Sequence, residues 1–229
     1  MSGRVGLARV ALLAIAALTF SALAGTGCAP ASNSAHPGGP IRVVAAESCW
    51  GSIAKQLGGQ RVQVTSLASS PDADPHDYEP TVEDARAVAN CQIVLYNGVG
   101  YDTWIQRLLA ASPNDGRIEL DVGRTAEVTT GDNPHLWYSP HVVREMIAAV
   151  TDAYKKADPE HAAYFDQQRQ KFEGASLAEY NRLISTIASA YAGTPVGASE
   201  SIALPLAEEL KLKVLTPTGF TSAISQGID

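Results

Sequence analysis

The sequence predicts an α/β fold with two lobes, each with a central, mainly parallel sheet flanked by helices, joined by one long backbone helix. Three observations support this prediction. Strand-like and helix-like segments alternate over residues 41–138, a helical pattern continues over residues 159–191, and a further strand–helix–strand unit begins near residue 192. Strands that alternate with helices are typical of parallel sheets, because neighbouring parallel strands need a crossover connection.

The N-terminal α/β lobe is predicted to span residues 41–138. Short apolar or alternating runs indicate its strands, which are Ile41–Ala46, Arg61–Leu67, Gln92–Asn97 and Arg117–Val122. Capping residues and apolar spacing indicate its helices, which are Glu47–Leu57, Val82–Asn90 and Trp104–Ala111. Thr81 is a candidate cap for the second helix, and Gly58 with Gly59 is expected to end the first.

A helical region is predicted over residues 139–191. Ser139 followed by Pro140 is a strong start signal, since serine caps a helix and proline suits its first position. A continuous helix over residues 159–191 would be about 50 Å long, with Gly174 as the point where it could bend or divide. A helix of this length between two α/β sections is expected to act as a stiff spacer.

Residues 192–229 are predicted to be the start of a second lobe. They contain a strand, a helix and a strand, namely Thr194–Ser199, Ile202–Leu210 and Lys213–Leu215. A two-stranded parallel sheet is not expected to be stable by itself or to have both of its faces covered. We therefore expect the rest of this lobe to be missing, so that the second lobe is incomplete and the chain is C-terminally truncated.

Residues 1–28 have the pattern of a lipoprotein signal peptide. Arg4 and Arg9 precede the apolar run Val10–Ala24, which is short for a membrane-spanning helix. Cys28 follows small residues, as in a bacterial lipobox, where the cysteine is lipidated and becomes the new N-terminus. Plain secretion and a retained membrane anchor are the alternatives.

The leader predicts an extracytoplasmic protein, lipid-anchored to the cell membrane. Residues 29–40 are then a flexible tether, because they are rich in Ala, Ser, Pro and Gly. In an oxidising compartment the remaining cysteines, Cys49 and Cys91, form a candidate disulfide. Two unrelated buried thiols are the alternative, since free cysteine is often fully buried.

The charge of the chain argues against nucleic-acid binding. The 229 residues include 17 Lys and Arg against 24 Asp and Glu, which gives a net charge of −7, and no basic run interrupts the body of the chain. Nucleic-acid-binding proteins normally present a basic patch. An acidic protein is better suited to a cationic ligand.

Two histidines lie where open α/β sheets bind ligands. His76 lies in the loop after the second strand and His135 lies just before a helix, and a proline precedes each of them. Glu200 ends the first strand of the second section, at the matching edge. Two imidazoles and one carboxylate suit Mn²⁺, Fe²⁺ or Zn²⁺ rather than Ca²⁺ or Mg²⁺, which prefer oxygen ligands.

Each of these residues also has a plainer interpretation. A loop histidine is more often satisfied by local hydrogen bonds, and a glutamate at a strand end is more often a helix cap or a solvated residue. The other histidines lie in the tether or in the first turns of helices, and we expect them to be solvated: His36, His141 and His161.

Several short motifs make the chain similar to a known family. They are Ala45–Glu47 with Trp50–Ala54, Pro75–Pro80, Tyr96–Gly98, Asn133–Trp137 and Ser199–Glu200. Together with the leader and the long helix, they resemble the substrate-binding lipoproteins of zinc- and manganese-type ABC importers, over residues 41–229. The resemblance implies two α/β lobes joined by one long helix, with a metal ion between the lobes.

The resemblance implies three metal ligands, which match His76, His135 and Glu200 in this sequence. The fourth ligand of the family lies beyond Asp229. Glutamate at the third position resembles the manganese or iron members more than the dedicated zinc members. Asp77 or Asn133 could orient the imidazoles from behind.

The function that the resemblance implies is capture of Mn²⁺ or Zn²⁺, with Fe²⁺ as a further candidate, and its delivery to a metal ABC permease. No catalytic cofactor, enzymatic activity or nucleic-acid partner is expected, and we expect a monomer. The alternatives are a metal-independent, adhesin-like surface protein or a non-functional truncated receptor. A secreted zinc hydrolase is a weaker alternative, because the sequence contains no HExxH helix pair.

Overall fold

The computed structural model describes residues 39–70, 78–129 and 131–225. All of the described residues belong to one compact unit. The predicted signal peptide with Cys28, the tether up to residue 38, and His76 lie outside the described residues.

The first sheet has four parallel strands. They are β1 (Ile41–Glu47), β2 (Val62–Ala68), β3 (Ile93–Tyr96) and β4 (Ile118–Asp121), in the order β2-β1-β3-β4. Val43 of β1 pairs with Val64 on one side and with Ile93 on the other. The predicted parallel sheet is confirmed, and its strands end at one common edge because they all run in the same direction.

Helices connect these strands across both faces of the sheet. They are α1 (Ser48–Gly58), α2 (Val82–Asn90), α3 (Thr103–Ala111) and the short α4 (Val122–Thr125). The start of α2 is fixed by a capping box, in which the Thr81 hydroxyl accepts from the Asp84 N–H at 3.2 Å and the Asp84 carboxylate accepts from the Thr81 N–H at 2.8 Å. The predicted Thr81 cap is therefore confirmed.

Alternate residues of the strands supply two separate hydrophobic cores. Val43 of β1 and Leu95 of β3 belong to the core under α1 and α5, whereas Val44 and Val94 belong to the core under α2 and α3. Successive side chains of a strand point to opposite faces of the sheet. The continuous apolar strands β1 and β3 therefore contribute side chains to both cores.

The helical region begins with α5 (Pro140–Ala157), where the Ser139 hydroxyl accepts from the Val142 N–H at 3.4 Å. After a 3₁₀ turn come α6 (Ala162–Lys171) and α7 (Ala178–Ala190). A π-helical turn at Phe172–Ser176 separates these two helices. The predicted long helix is thus divided around Gly174, since glycine lowers helix stability there and nothing would contact a Cβ at this position.

The last section contains short strands and two helices. β5 (Pro195–Val196) and β6 (Lys213–Val214) form a parallel pair, and α8 (Leu204–Glu209) connects them. The strands are shorter than predicted because only two residues of each are paired. A further helix, α9 (Thr218–Ser225), was not predicted from the sequence. Among the described residues, no helix combines the length and the apolar character needed to cross a membrane.

The predicted disulfide between Cys49 and Cys91 is wrong in this structure, where both thiols are free. Cys49 packs against the core under α1, while Cys91 belongs to the core on the other face of the sheet. The sheet therefore lies between them. Burial raises the pKa of Cys49 to about 12 and that of Cys91 to about 11, so both remain protonated at neutral pH.

Reducing agent is therefore expected to leave the unfolding midpoint of the chain unchanged. A disulfide closing the loop between Cys49 and Cys91 would stabilise the fold by about 2–4 kcal/mol, and its reduction would lower the midpoint. The measurement is thermal unfolding with and without dithiothreitol, together with thiol titration in denaturant. The double variant C49S/C91S serves as the control, and a drop in midpoint that this variant does not show would establish the disulfide.

Candidate metal centre

The His135 side chain is held in one orientation by Asn133. Its ring is buried, with 7% of the residue exposed, and it precedes the 3₁₀ turn Leu136–Tyr138. Asn133 Oδ1 accepts from the His135 backbone N–H at 3.1 Å and lies 2.8 Å from ring Nδ1. Asn133 Nδ2 donates to the Ser201 carbonyl oxygen, so Asn133 Oδ1 is the atom that faces the ring. Because an amide oxygen only accepts, His135 Nδ1 carries the proton. Nε2 then holds the lone pair that a metal ion binds.

Asn133 also joins His135 to the last section of the chain. Its Nδ2 donates a hydrogen bond of 2.6 Å to the carbonyl oxygen of Ser201, and the Ser201 hydroxyl lies 3.3 Å from His135 Nδ1. The Ser225 hydroxyl on α9 accepts from the Ser201 N–H at 2.9 Å. The residue that follows Glu200 is therefore fixed directly against His135.

Glu200 is exposed, and its side chain makes no capping bond to the turn Ser201–Ala203 that follows it. Of its two plainer interpretations, a helix cap does not match this geometry, whereas a solvated residue does. Glu200 directly precedes Ser201, whose backbone carbonyl contacts Asn133 and whose hydroxyl contacts His135. The structure thus brings the chain segments of two predicted ligands together.

Asn97, at the end of β3, fixes the segment before His135 from the opposite side. Its side chain is fully buried. Nδ2 donates to the carbonyl oxygen of Pro134 at 2.8 Å, and Oδ1 accepts from Trp50 Nε1 at 3.2 Å. The carboxyl edge of the sheet therefore holds the His135 segment through a buried amide.

The loop that contains His76 begins and ends near the same edge. It leaves the sheet after Ala68, the last residue of β2. On its far side the Tyr78 ring packs on Trp104 with centroids 4.7 Å apart, and the Tyr78 hydroxyl donates to Asp84 Oδ2 at 2.9 Å. His76 itself lies outside the described residues, so its role as a ligand remains a prediction.

Within residues 39–70, 78–129 and 131–225, no group of three or more His, Cys, Asp and Glu side chains is placed to hold a metal ion. Of the other predicted solvated histidines, His141 is exposed, whereas His161 contacts Asp158 at 2.8 Å and is partly buried. His36 lies outside the described residues. His135 is the described histidine whose surroundings match those of a ligand.

A cavity of about 270 Å³ opens beside His135. It is lined by residues 99–101 and 131–134 on one side and by Ser201, Ser222 and Ser225 on the other. The cavity is thus formed between the loop after β3 and the last section of the chain.

Residues 43–227 match the model of the family described as the zinc-uptake complex component A, periplasmic (ZnuA). The chain belongs to this family. The family resemblance and the α/β fold predicted from the sequence are both confirmed by this match and by the solved structures that follow.

The chain is similar to several curated metal-binding proteins. The manganese-binding lipoprotein MntA of Halalkalibacterium halodurans is 27% identical over 148 residues, which is 63% of this chain and 49% of the relative. The iron-binding protein YfeA of Yersinia pestis is 26% identical over 161 residues, 68% of this chain and 51% of the relative. The chain spans about half the length of these curated relatives.

Two solved structures share the fold. The metal-dependent lipoprotein YcdH from Bacillus subtilis superposes with a TM-score of 0.66 at 22% identity, covering 76% of this chain and 66% of that one. Zn(II)-bound AdcA from Streptococcus pneumoniae also gives a TM-score of 0.66, at 17% identity, covering 82% of this chain and 42% of that one.

Sequence reasoning did not assign a role to Asn97, Asp102 or Glu47. Asp102 is fully buried and accepts from the N–H groups of Asn97 and Gly98 at 2.6 and 2.9 Å. Glu47 ends β1 and is 4% exposed. The available signal was position for Glu47 and Asn97, which lie at or just beyond strand ends and within the motifs Ala45–Glu47 and Tyr96–Gly98. Asp102 directly precedes α3 and lies in none of these motifs.

The variant Asn97→Asp is expected to destabilise the fold by about 1–3 kcal/mol, because it removes the donor to Pro134 and adds a buried charge near Asp102. Asn114→Asp is the matched control, since Asn114 uses only its Oδ1, as acceptor from the Gly116 N–H at 3.0 Å. Urea unfolding measures both variants. Equal stability of the two would show that the Asn97 amide does not hold the His135 segment.

Proposed function

We propose that this chain binds a divalent transition-metal ion and presents it to a metal ABC permease for import. Mn²⁺ and Zn²⁺ are the principal candidates, and Fe²⁺ is a third. The observation that carries the proposal is the buried His135 ring, whose Nδ1 is held by Asn133, so that the lone pair of the ring is on Nε2. Membership of a metal-uptake family supports it, as do the relatives named for binding manganese and iron.

The proposed ligands are His76, His135 and Glu200. His135 and the segment of Glu200 meet through Asn133 and Ser201, and the loop that carries His76 starts and ends near the same edge. Nitrogen and oxygen donors in this ratio suit first-row metals. Glu200 in place of a third histidine favours Mn²⁺ or Fe²⁺ by ligand type, although an N/O site still has higher intrinsic affinity for Zn²⁺.

The proposed location is the outer face of the cell membrane. Several relatives are named as lipoproteins, and Cys28 is the proposed site of lipidation. Residues 29–40 would tether the folded unit to its anchor. A monomer is proposed, because one chain supplies all of the proposed ligands.

The proposed activity is capture rather than catalysis. The ion is cargo, and the surrounding residues only have to bind and release it. Asn133 orients the His135 ring, and Ser201 and Asn97 hold the backbone on either side of it. Release would need these local hydrogen bonds to rearrange, since the His135 segment is tied to both sections of the chain.

Mn²⁺ or Zn²⁺ is expected to raise the unfolding midpoint of the chain. An ion at one hundred times its dissociation constant stabilises the native state by about 2.7 kcal/mol, which corresponds to several degrees for a chain of this size. The measurement is thermal unfolding with and without each ion. His135→Ala is expected to abolish the shift.

His141→Ala is the matched control, because His141 is an exposed histidine in the first turn of α5. It is expected to keep the full shift of the wild-type chain. A cooperative wild-type transition that neither ion moves would contradict metal binding by this chain. A shift that His135→Ala retains would place the ion elsewhere.

Asn133→Ala is expected to weaken metal binding by about 10–100-fold, because it releases both the His135 ring and the Ser201 carbonyl. Isothermal titration calorimetry measures the affinity. Asn114→Ala, in a remote turn, is expected to bind as the wild type does. Equal affinities of the two variants would show that Asn133 does not orient the ligand.

A further inference from the structure

Glu47 is a buried carboxyl group that interacts with the nearby Asp102 carboxyl group. It lies at the carboxyl end of β1 and is 4% exposed. Neither of its side-chain oxygens has a hydrogen-bond partner among the described residues. It precedes α1 but does not cap that helix. A buried carboxylate with no compensating contact is costly, so this geometry favours the neutral, protonated form.

Asp102 has the opposite surroundings, although it lies close to Glu47. Its two oxygens accept from the backbone N–H groups of Asn97 and Gly98. Two such hydrogen bonds stabilise a carboxylate. Burial and the charge of Asp102 raise the pKa of Glu47 well above its usual range. Burial also raises the pKa of Asp102, but its two backbone hydrogen bonds favour the carboxylate. We therefore assign the proton of the pair to Glu47 and the negative charge to Asp102.

The other titratable groups facing this pair are neutral at physiological pH or directed elsewhere. On α1, burial raises the pKa of the Cys49 thiol to about 12. On β3, burial and then the charge of Asp121 raise the pKa of Tyr96 to about 12. Asp121, at the end of β4, accepts from the Arg124 N–H at 3.0 Å. The main influences on the pair are burial, each other and backbone groups, with no cation among them.

Asn97 connects the pair to the candidate metal centre. Its backbone N–H donates to Asp102, and its side-chain Nδ2 donates to the carbonyl oxygen of Pro134, the residue before His135. Glu47 lies on β1, between β2, which leads into the His76 loop, and β3, which leads into Asn97. The pair therefore lies behind the edge at which the ion would bind.

We propose that a divalent cation captured at this edge expels the proton held by Glu47 and Asp102, so that metal capture releases a proton to the solvent. This inference rests on the metal-binding function proposed above. A nearby dication stabilises the ionised form of the pair, and by linkage the protonated pair weakens metal binding. Affinity for the ion then rises as the pH rises and falls as the pair takes up its proton again. This pH dependence adds to the one that the histidine ligands contribute.

The test is isothermal titration calorimetry of the full chain with MnCl₂ and ZnCl₂, in buffers of different protonation enthalpy at one pH. The dependence of the heat on the buffer gives the number of protons released per bound ion. The wild type is expected to release about one proton more than Glu47→Gln. Gln has the shape of the neutral acid, so the variant is expected to fold. Glu83→Gln, on the exposed surface of α2, is the matched control and is expected to match the wild type.

Equal proton release from Glu47→Gln and the wild type would overturn the inference while leaving metal binding intact. Absence of any binding heat from the wild type would instead contradict the proposed function.

A second measurement, infrared spectroscopy, uses the wild-type chain alone. The wild type at neutral pH is expected to show the infrared carbonyl band of a protonated carboxyl group. This band is expected to disappear when metal is added. A band that persists in the metal-bound protein would also overturn the inference.

Discussion

The candidate site depends on one constraint, the common direction of the four strands in the first sheet. Because β1, β2, β3 and β4 are all parallel, their carboxyl ends meet at one edge. Glu47, the His76 loop and Asn97 follow three neighbouring strands at that edge. The apolar strands supply both cores of the sheet, so the polar residues gather at this edge, where open α/β sheets bind ligands.

The side chains of two asparagines hold the His135 segment in place at this edge. Asn97 ties the segment before His135 to the sheet, and Asn133 ties the His135 ring to the Ser201 backbone. Both are buried or partly buried amides that use a donor and an acceptor at once, which gives a single geometry rather than several. The cavity beside His135 lies between the two sections that these amides join. Movement of the last section would therefore reach His135 through Ser201.

The local features of the fold could be predicted because their signals lie within a few residues. The Thr81 capping box, the Ser139 start of α5 and the strands of the first sheet are of this kind. The position of Cys91 could not be predicted from the sequence, because the face of the sheet on which its side chain lies depends on tertiary packing. His135 was predicted as a ligand from its place just before a helix and Glu200 from its place at a strand end, whereas the Asn97 contact with Pro134 spans 37 residues and carries no local signal.

A single divalent ion is proposed to bind to His135 Nε2 at the carboxyl edge of the sheet. An anomalous difference map from crystals of the chain grown with Mn²⁺ or Zn²⁺ would locate this ion. One strong peak is expected about 2.0–2.2 Å from His135 Nε2, with His76 and Glu200 as the other protein ligands of the ion. A peak at another histidine, or no peak in crystals containing saturating metal, would contradict this proposal.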